Sequence, residues 1–309
     1  MYSNKREAQK KLKTLVISPK KLVDYFRRDL EHRFASRLLP NAVEKKELDY
    51  GGIACDLLVP EIFSSDKIIL YVHGGSFVGG TRDSWRNFCA SLANAASCRL
   101  VLPEFRLAPT YQFPASLEDV QAVFKQVYIQ NSGKIILAAD GSGASILLAM
   151  LFGMSDVFKQ AISCVVLFSP WLDFSAPKTT DGKKHKKSAL EKADKILSLD
   201  ILKYSSDLYT YEANKESLLV SPLKGEVKDF KGFPPVFIQM GENELLVEQA
   251  KVLQQKILDA GSECILEIWP NQMHLFQMAD EFLADSHLAM EKVGHLIQEG
   301  FPIGKKEDL

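Results

Sequence analysis

Glu244 and His274 stand thirty positions apart and are the residue types that general acid–base chemistry uses. A carboxylate beside an imidazole fixes the ring tautomer and supports its protonated form, so that the histidine can take a proton and return it. Glu244 comes three residues after Gly241, at the end of the apolar run 236–240, and His274 follows the run 264–269. If those runs are parallel neighbours in one sheet, a single strand–helix–strand crossover brings both residues to the same sheet edge, where open α/β sheets bind ligands. His73-Gly74-Gly75-Ser76-Phe77 follows a third run, 68–72. Its glycine pair allows a tight turn with backbone N–H groups pointing outward, which suits an oxyanion. A plain structural turn would use the same pair. His32, His185, His287 and His295 have no comparable setting.

These groups call for a nucleophile, and a serine on a sharp strand-to-helix turn is the expected device. The candidate segment is Ala138-Ala139-Asp140-Gly141-Ser142-Gly143-Ala144. A G-x-S-x-G pattern centred on Ser142 needs glycines at 140 and 144, and the sequence has Asp140 and Ala144 there.

The elements that must position these residues follow from apolar patterning. Ile68–Val72 is a dense buried-strand run, and similar runs stand at 100–102, 135–139, 164–168, 236–240 and 264–269. Continuous apolar runs mark strands covered on both faces. Helix-period segments fall between them, near 84–97, 115–130, 143–155, 248–260 and 279–298. The alternation predicts an α/β fold with a mostly parallel central sheet flanked by helices. Residues 48–60 read as a strand pair or a bent strand. The N-terminal 45 residues read as helical, with Leu22, Tyr25, Phe26, Leu30 and Phe34 on one stripe that packs on the rest of the chain. The interval 174–220 breaks the rhythm with a basic run, Lys183 to Lys187, read as a solvated loop, and a helix near 199–211. It reads as an inserted cap segment. The expected organisation is one domain over 1–309 with a small helical cap from about 1–45 and 174–220.

The chain of 309 residues is 46% hydrophobic and 25% charged, the balance of a soluble globular protein. Its 38 basic and 39 acidic residues leave a net charge of −1, without the basic excess of a dedicated nucleic-acid binder. Five cysteines, at 55, 89, 98, 164 and 264, form no CxxC pair. Their apolar settings suggest buried thiols in a reducing compartment, hence a cytoplasmic protein. No apolar run reaches transmembrane length.

Several motifs, in order over residues 45–300, resemble the hormone-sensitive-lipase-like family of bacterial esterases within the α/β-hydrolase fold. His73-Gly74-Gly75 resembles the oxyanion loop, with Ser76 where a third glycine is usual. Phe105-Arg106-Leu107-Ala108-Pro109, Phe113-Pro114 and Glu118-Asp119 resemble YRLAP…FP…ED. Ser169-Pro170-Trp171-Leu172-Asp173 resembles SPW-x-D, and Ser221-Pro222-Leu223 with Pro234-Pro235 resembles SPL…PP. Gly241-Glu242-Asn243-Glu244 is similar to the acid motif in its glutamate form, and Met273-His274-Leu275-Phe276 to the histidine motif.

The family elbow is Gly-Asp-Ser-Ala-Gly-Gly. Laid ungapped on Ala139–Ala144, it puts Gly141 at the nucleophile position and Ser142 at the next residue, whose N–H completes the oxyanion hole. Small residues are needed two before and two after the nucleophile. Ala139 and Gly143 meet that need around 141, whereas Asp140 fits poorly around 142. Glycine also accepts the strained geometry of the turn. Three outcomes stay open at this point: a shifted turn in which Ser142 attacks, an inactive homologue that binds a small ligand or a partner, and a site in which His274 activates water. The resemblance implies a carboxylic-ester hydrolase for short to medium acyl esters, with Ser142, His274 and Glu244 as catalytic residues. It implies an oxyanion hole from Gly74, Gly75 and either Ser142 or Gly143. Phe77, Trp85 and Trp171 are candidates for the acyl pocket. It implies neither metal nor cofactor, and a homodimer through the last strand.

Overall fold

The computed structural model describes residues 4–35, 39–40, 42–131, 133–175 and 188–301. The basic run 183–187 and part of the expected cap interval lie outside them. Eight strands form one sheet: β1 (Val43–Asp49), β2 (Ala54–Pro60), β3 (Ser64–Val72), β4 (Cys98–Pro103), β5 (Lys134–Asp140), β6 (Ile162–Phe168), β7 (Val236–Gly241) and β8 (Cys264–Trp269). Their spatial order is β1-β2-β4-β3-β5-β6-β7-β8. The β1–β2 and β2–β4 pairs are antiparallel and every other pair is parallel, as the run-and-helix alternation predicts. The 48–60 segment is the β1–β2 hairpin, but its first strand begins earlier, at Val43. Its turn uses Gly51 and Gly52, both at positive φ, a region that glycine enters without a Cβ penalty.

The central strands β3, β5 and β6 are buried along their apolar runs because helices cover both faces. The helix Gly143–Phe152 is apolar on all sides and buried over nearly its whole length. It passes so close to β3 that a Cβ on Gly143 would sit 2.2 Å from the Val72 carbonyl oxygen. The helix Arg82–Ala96 starts on a Thr81–Ser84 capping box. Arg82 and Arg86 of this helix grip the fully buried Asp56 of β2 at 2.7 and 2.6 Å, fixing helix to sheet.

The N-terminal region is less helical than its periodicity predicts. α-Helices run over Lys5–Leu12, continued by a 3-10 turn at Lys13–Leu15, and over Val23–Phe34, with non-helical chain from Val16 to Leu22 between them. Pro19 disfavours helical geometry at the residue before it. Phe26, Leu30 and Phe34 face the core, whereas Leu22 and Tyr25 are exposed. The region packs on its own chain. Arg27 donates from Nε to the Val78 carbonyl at 2.8 Å and from a terminal nitrogen to that of Ala108 at 3.0 Å. All five cysteines are buried free thiols. No helix among the described residues is long and apolar enough to cross a membrane.

Candidate active site

Parallel pairing of β7 with β8, Gly241 opposite Trp269, carries Glu244 and His274 beyond adjacent strand ends. There the His274 Nδ1 lies 2.8 Å from Glu244 Oε2, the contact that the thirty-residue spacing predicts. Glu244 is fully buried. Its other oxygen accepts from Ser169 Oγ at 2.7 Å and from the Gly241 N–H. Ser169 in turn accepts from the Leu275 N–H at 3.1 Å, so one hydroxyl locks the acid to the histidine loop. Burial alone would lower the His274 pKa. The hydrogen bond and charge of Glu244, with the charges of Asp194 and Asp140, outweigh it and raise the imidazole above its ordinary value. Among the described residues none makes a hydrogen bond to Nε2, and His274 lines a small cavity.

Gly141 occupies the tip of the strand-to-helix turn at φ +47°, a left-handed geometry that L side chains resist. Both of its backbone polar groups are held by the β6 end: its N–H donates to the Phe168 carbonyl and its carbonyl accepts from the Trp171 N–H, each at 3.0 Å. A Cβ built on Gly141 meets only Leu275 Cδ1, at an ordinary 3.8 Å. The turn is thus formed, fixed and open on the side where a nucleophile would project.

Ser142 follows in helical geometry, φ −70° and ψ −25°, at the start of the helix Gly143–Phe152. Its Oγ accepts the Phe77 N–H at 3.1 Å, and no hydrogen bond joins it to His274. The ungapped alignment, with Gly141 at the tip and Ser142 one step into the helix, matches this backbone.

The oxyanion loop is strongly curved. Gly75, Ser76 and Phe77 all have positive φ, at 91°, 59° and 64°. Gly74, expected as an oxyanion donor, instead gives its N–H to Asp140 Oδ1 at 2.9 Å. Gly75, Ser76, Gly141, Ser142 and His274 line the cavity together, and Gly74 is not among its lining residues. Gly143 does not line the cavity; it sits where helix and β3 cross.

Asp140 is the hub behind this loop, and the residue reading gave it no role. Its Oδ1 accepts from Tyr71 Oη at 2.8 Å, from the Gly74 N–H and from Trp85 Nε1 at 2.8 Å. Its Oδ2 is buried without a partner, and burial pushes the carboxyl up to about 6. The sequence signal was a charged residue ending an otherwise apolar strand.

Of the three aromatic pocket candidates, the structure puts Trp171 on the cavity wall. Trp85 is fully buried and spends its indole N–H on Asp140. Phe77 is stacked on Tyr209 at 3.9 Å between ring centroids and is not itself among the lining residues. The other apolar walls are Leu15 and Val16 from the N-terminal segment, Leu197, Ile201 and Leu202 from the helical segment before β7, and Leu246 and Leu275. Such wall residues carry no motif and are found only by folding the chain. The cavity measures about 20 Å³, room for one water-sized group. Among the described residues no cluster of His, Cys, Asp or Glu is arranged to hold a metal ion.

A family model described as alpha/beta hydrolase fold matches residues 69–278. An acetyl-hydrolase of Streptomyces hygroscopicus is 30% identical over 244 residues, covering 78% of each chain. An esterase of Acinetobacter venetianus is 24% identical over 233 residues, covering 74% of each. The crystal structure of an esterase from the bacterial hormone-sensitive lipase family superposes with a TM-score of 0.84 at 25% identity, over 96% of this chain and 97% of that one.

Proposed function

Because the chain belongs to the alpha/beta hydrolase fold family, on its hormone-sensitive-lipase-like, esterase-like branch, we propose that it binds short to medium acyl esters and hydrolyses them slowly without a serine nucleophile. One observation carries this reading: Gly141 holds the nucleophile's place in an intact turn, while the Glu244–His274 pair beside it is fully assembled. The names of the relatives, acetyl-hydrolase and esterase, support the ester class. So do the apolar cavity walls.

In the proposed reaction His274 Nε2 removes a proton from a water molecule as the water oxygen attacks the ester carbonyl carbon. The Glu244 carboxylate supports the imidazolium that forms. The N–H groups of Gly75, Ser76 and Ser142 stabilise the developing oxyanion. The tetrahedral intermediate then collapses, the carbon–alkoxide bond breaks, and His274 returns its proton to the leaving alcohol. Acid and alcohol are the products, and no acyl-enzyme forms. Ser142 contributes its N–H, not its hydroxyl, because the Oγ is engaged by Phe77 and has no base. The segments 1–45 and 174–220 act as the cap over this site, within one domain.

Two measurements test the proposal: labelling with a serine-directed fluorophosphonate, and hydrolysis of p-nitrophenyl acetate and butyrate. Slow hydrolysis without covalent label is expected, and it should be lost in His274→Ala. A label on Ser142 would refute the reading in favour of a shifted turn. The missing hydroxyl favours a second reading, an inactive homologue that only binds a small ligand or a partner. Ester binding without any His274-dependent hydrolysis would establish it.

A further inference from the structure

Ser76 is the second departure from the family motif, and it faces the same cavity as the first. It stands at φ +59°, where glycine would be unstrained, so its side chain is kept against a conformational cost. That side chain has one hydrogen bond: its Oγ accepts the Ile17 N–H at 3.3 Å, across fifty-nine residues of sequence. Ile17 follows Leu15, the last residue of a 3-10 turn, and Val16, which is extended, and the side chains of all three are buried. Leu15 and Val16 form part of the cavity wall directly beside Ser76, Gly141 and His274. The oxyanion loop and the N-terminal strap are therefore joined at the mouth of the site by a hydroxyl that a glycine could not supply.

We propose that Ser76 determines acyl-chain specificity, its hydroxyl pinning the Leu15–Ile17 strap at the cavity so that short acyl groups are favoured over medium ones. The inference rests on the ester-binding function proposed above and names the substrate subset. With the strap pinned the cavity has room for one water-sized group, and Leu15 and Val16 are among the walls that an acyl chain would press against. An acetyl group needs only a local shift of those side chains, whereas a hexanoyl group needs the strap itself to lift. An element held by an extra buried hydrogen bond opens less often, and apparent affinity falls with the fraction of open molecules. Ser76 is a specificity residue through the strap. Its backbone N–H is kept in every variant below.

The test compares the parent protein with Ser76→Gly, which removes both the hydroxyl and the backbone strain, and with Ser76→Ala, which removes the hydroxyl alone. Amide hydrogen exchange is followed at Ile17, and saturation-transfer NMR reports binding of methyl acetate, methyl butyrate and methyl hexanoate. Exchange at Ile17 is expected to accelerate about tenfold in both variants, the fold-change of one lost hydrogen bond. Binding of methyl hexanoate relative to methyl acetate should rise in both variants over the parent. Unchanged exchange at Ile17 overturns the proposal, as does faster exchange with the same chain-length preference. If no ester binds any of the three proteins, the ester-binding function falls and this inference with it. Esters bound with an unmoved preference refute this inference alone.

Discussion

Replacing Gly141 by serine tests the central argument most directly. The turn already has the geometry of a nucleophile position, and an added Cβ meets nothing closer than Leu275 Cδ1 at 3.8 Å, so no backbone movement is required. The cost is conformational. A side chain in the left-handed region costs about 1–2 kcal/mol. For a protein of this size that lowers the melting temperature by roughly 2–3 °C. The gain is catalytic. Removing the nucleophile from a serine hydrolase costs up to about 10⁶ in kcat. Restoring it beside an assembled base and oxyanion loop should recover at least ~10³ of that factor. The assay is p-nitrophenyl acetate hydrolysis by parent, Gly141→Ser and Gly141→Ser/His274→Ala, with fluorophosphonate labelling and peptide mapping. Label at position 141, dependent on His274, is expected. A folded Gly141→Ser protein that takes no label and hydrolyses the ester no faster than the parent refutes the claim that base, turn and oxyanion donors are aligned.

Other outcomes follow from the same geometry. Asp140 is fully buried and its carboxyl is raised to about 6, so between about pH 4 and 6 the native state holds a proton that the unfolded chain has released. Stability should therefore fall as pH rises through that window, by about 3 kcal/mol in all, and the dependence should vanish in Asp140→Asn; urea unfolding at pH 4.5 and pH 7 checks this. Removing the charge of Glu244 in Glu244→Gln should lower the His274 pKa, seen in the imidazole NMR titration. In the Gly141→Ser background it should also cut kcat by about 10²–10⁴. Gly143→Ala should lose more than about 3 kcal/mol, because its Cβ would overlap the Val72 carbonyl at 2.2 Å, a backbone contact that cannot rotate away; thermal unfolding measures it.

The sheet was legible because its strands are covered on both faces and read as unbroken apolar runs. Element ends were less so. The N-terminal stripe looked helical through residue 45, yet Leu22 and Tyr25 point to solvent and the chain is already a strand at Val43. Periodicity registers apolar spacing, not the non-helical chain that separates the two helices from Val16 onward or the pairing that draws Val43 into the β1–β2 hairpin. In the site, the Glu244–His274 pair was readable from spacing, since parallel neighbours place equivalent strand ends together. The roles of Gly74, Phe77 and Trp85 were not, because loop curvature decides which N–H is spent on Asp140 and which ring faces the core.

Sequence alone determined the fold class, the acid–histidine pair and the absence of a serine at position 141, for these depend on residue type and order. Tertiary structure decided the rest. It showed that the turn at Gly141 is held through its backbone by Phe168 and Trp171. It turned the Ser142 hydroxyl to Phe77 and spent the Gly74 N–H on Asp140. It also brought Ile17 onto Ser76 from fifty-nine residues away. Hydrogen bonds of that kind depend on the direction in which each group points once the chain is packed, and no local pattern of residues records direction.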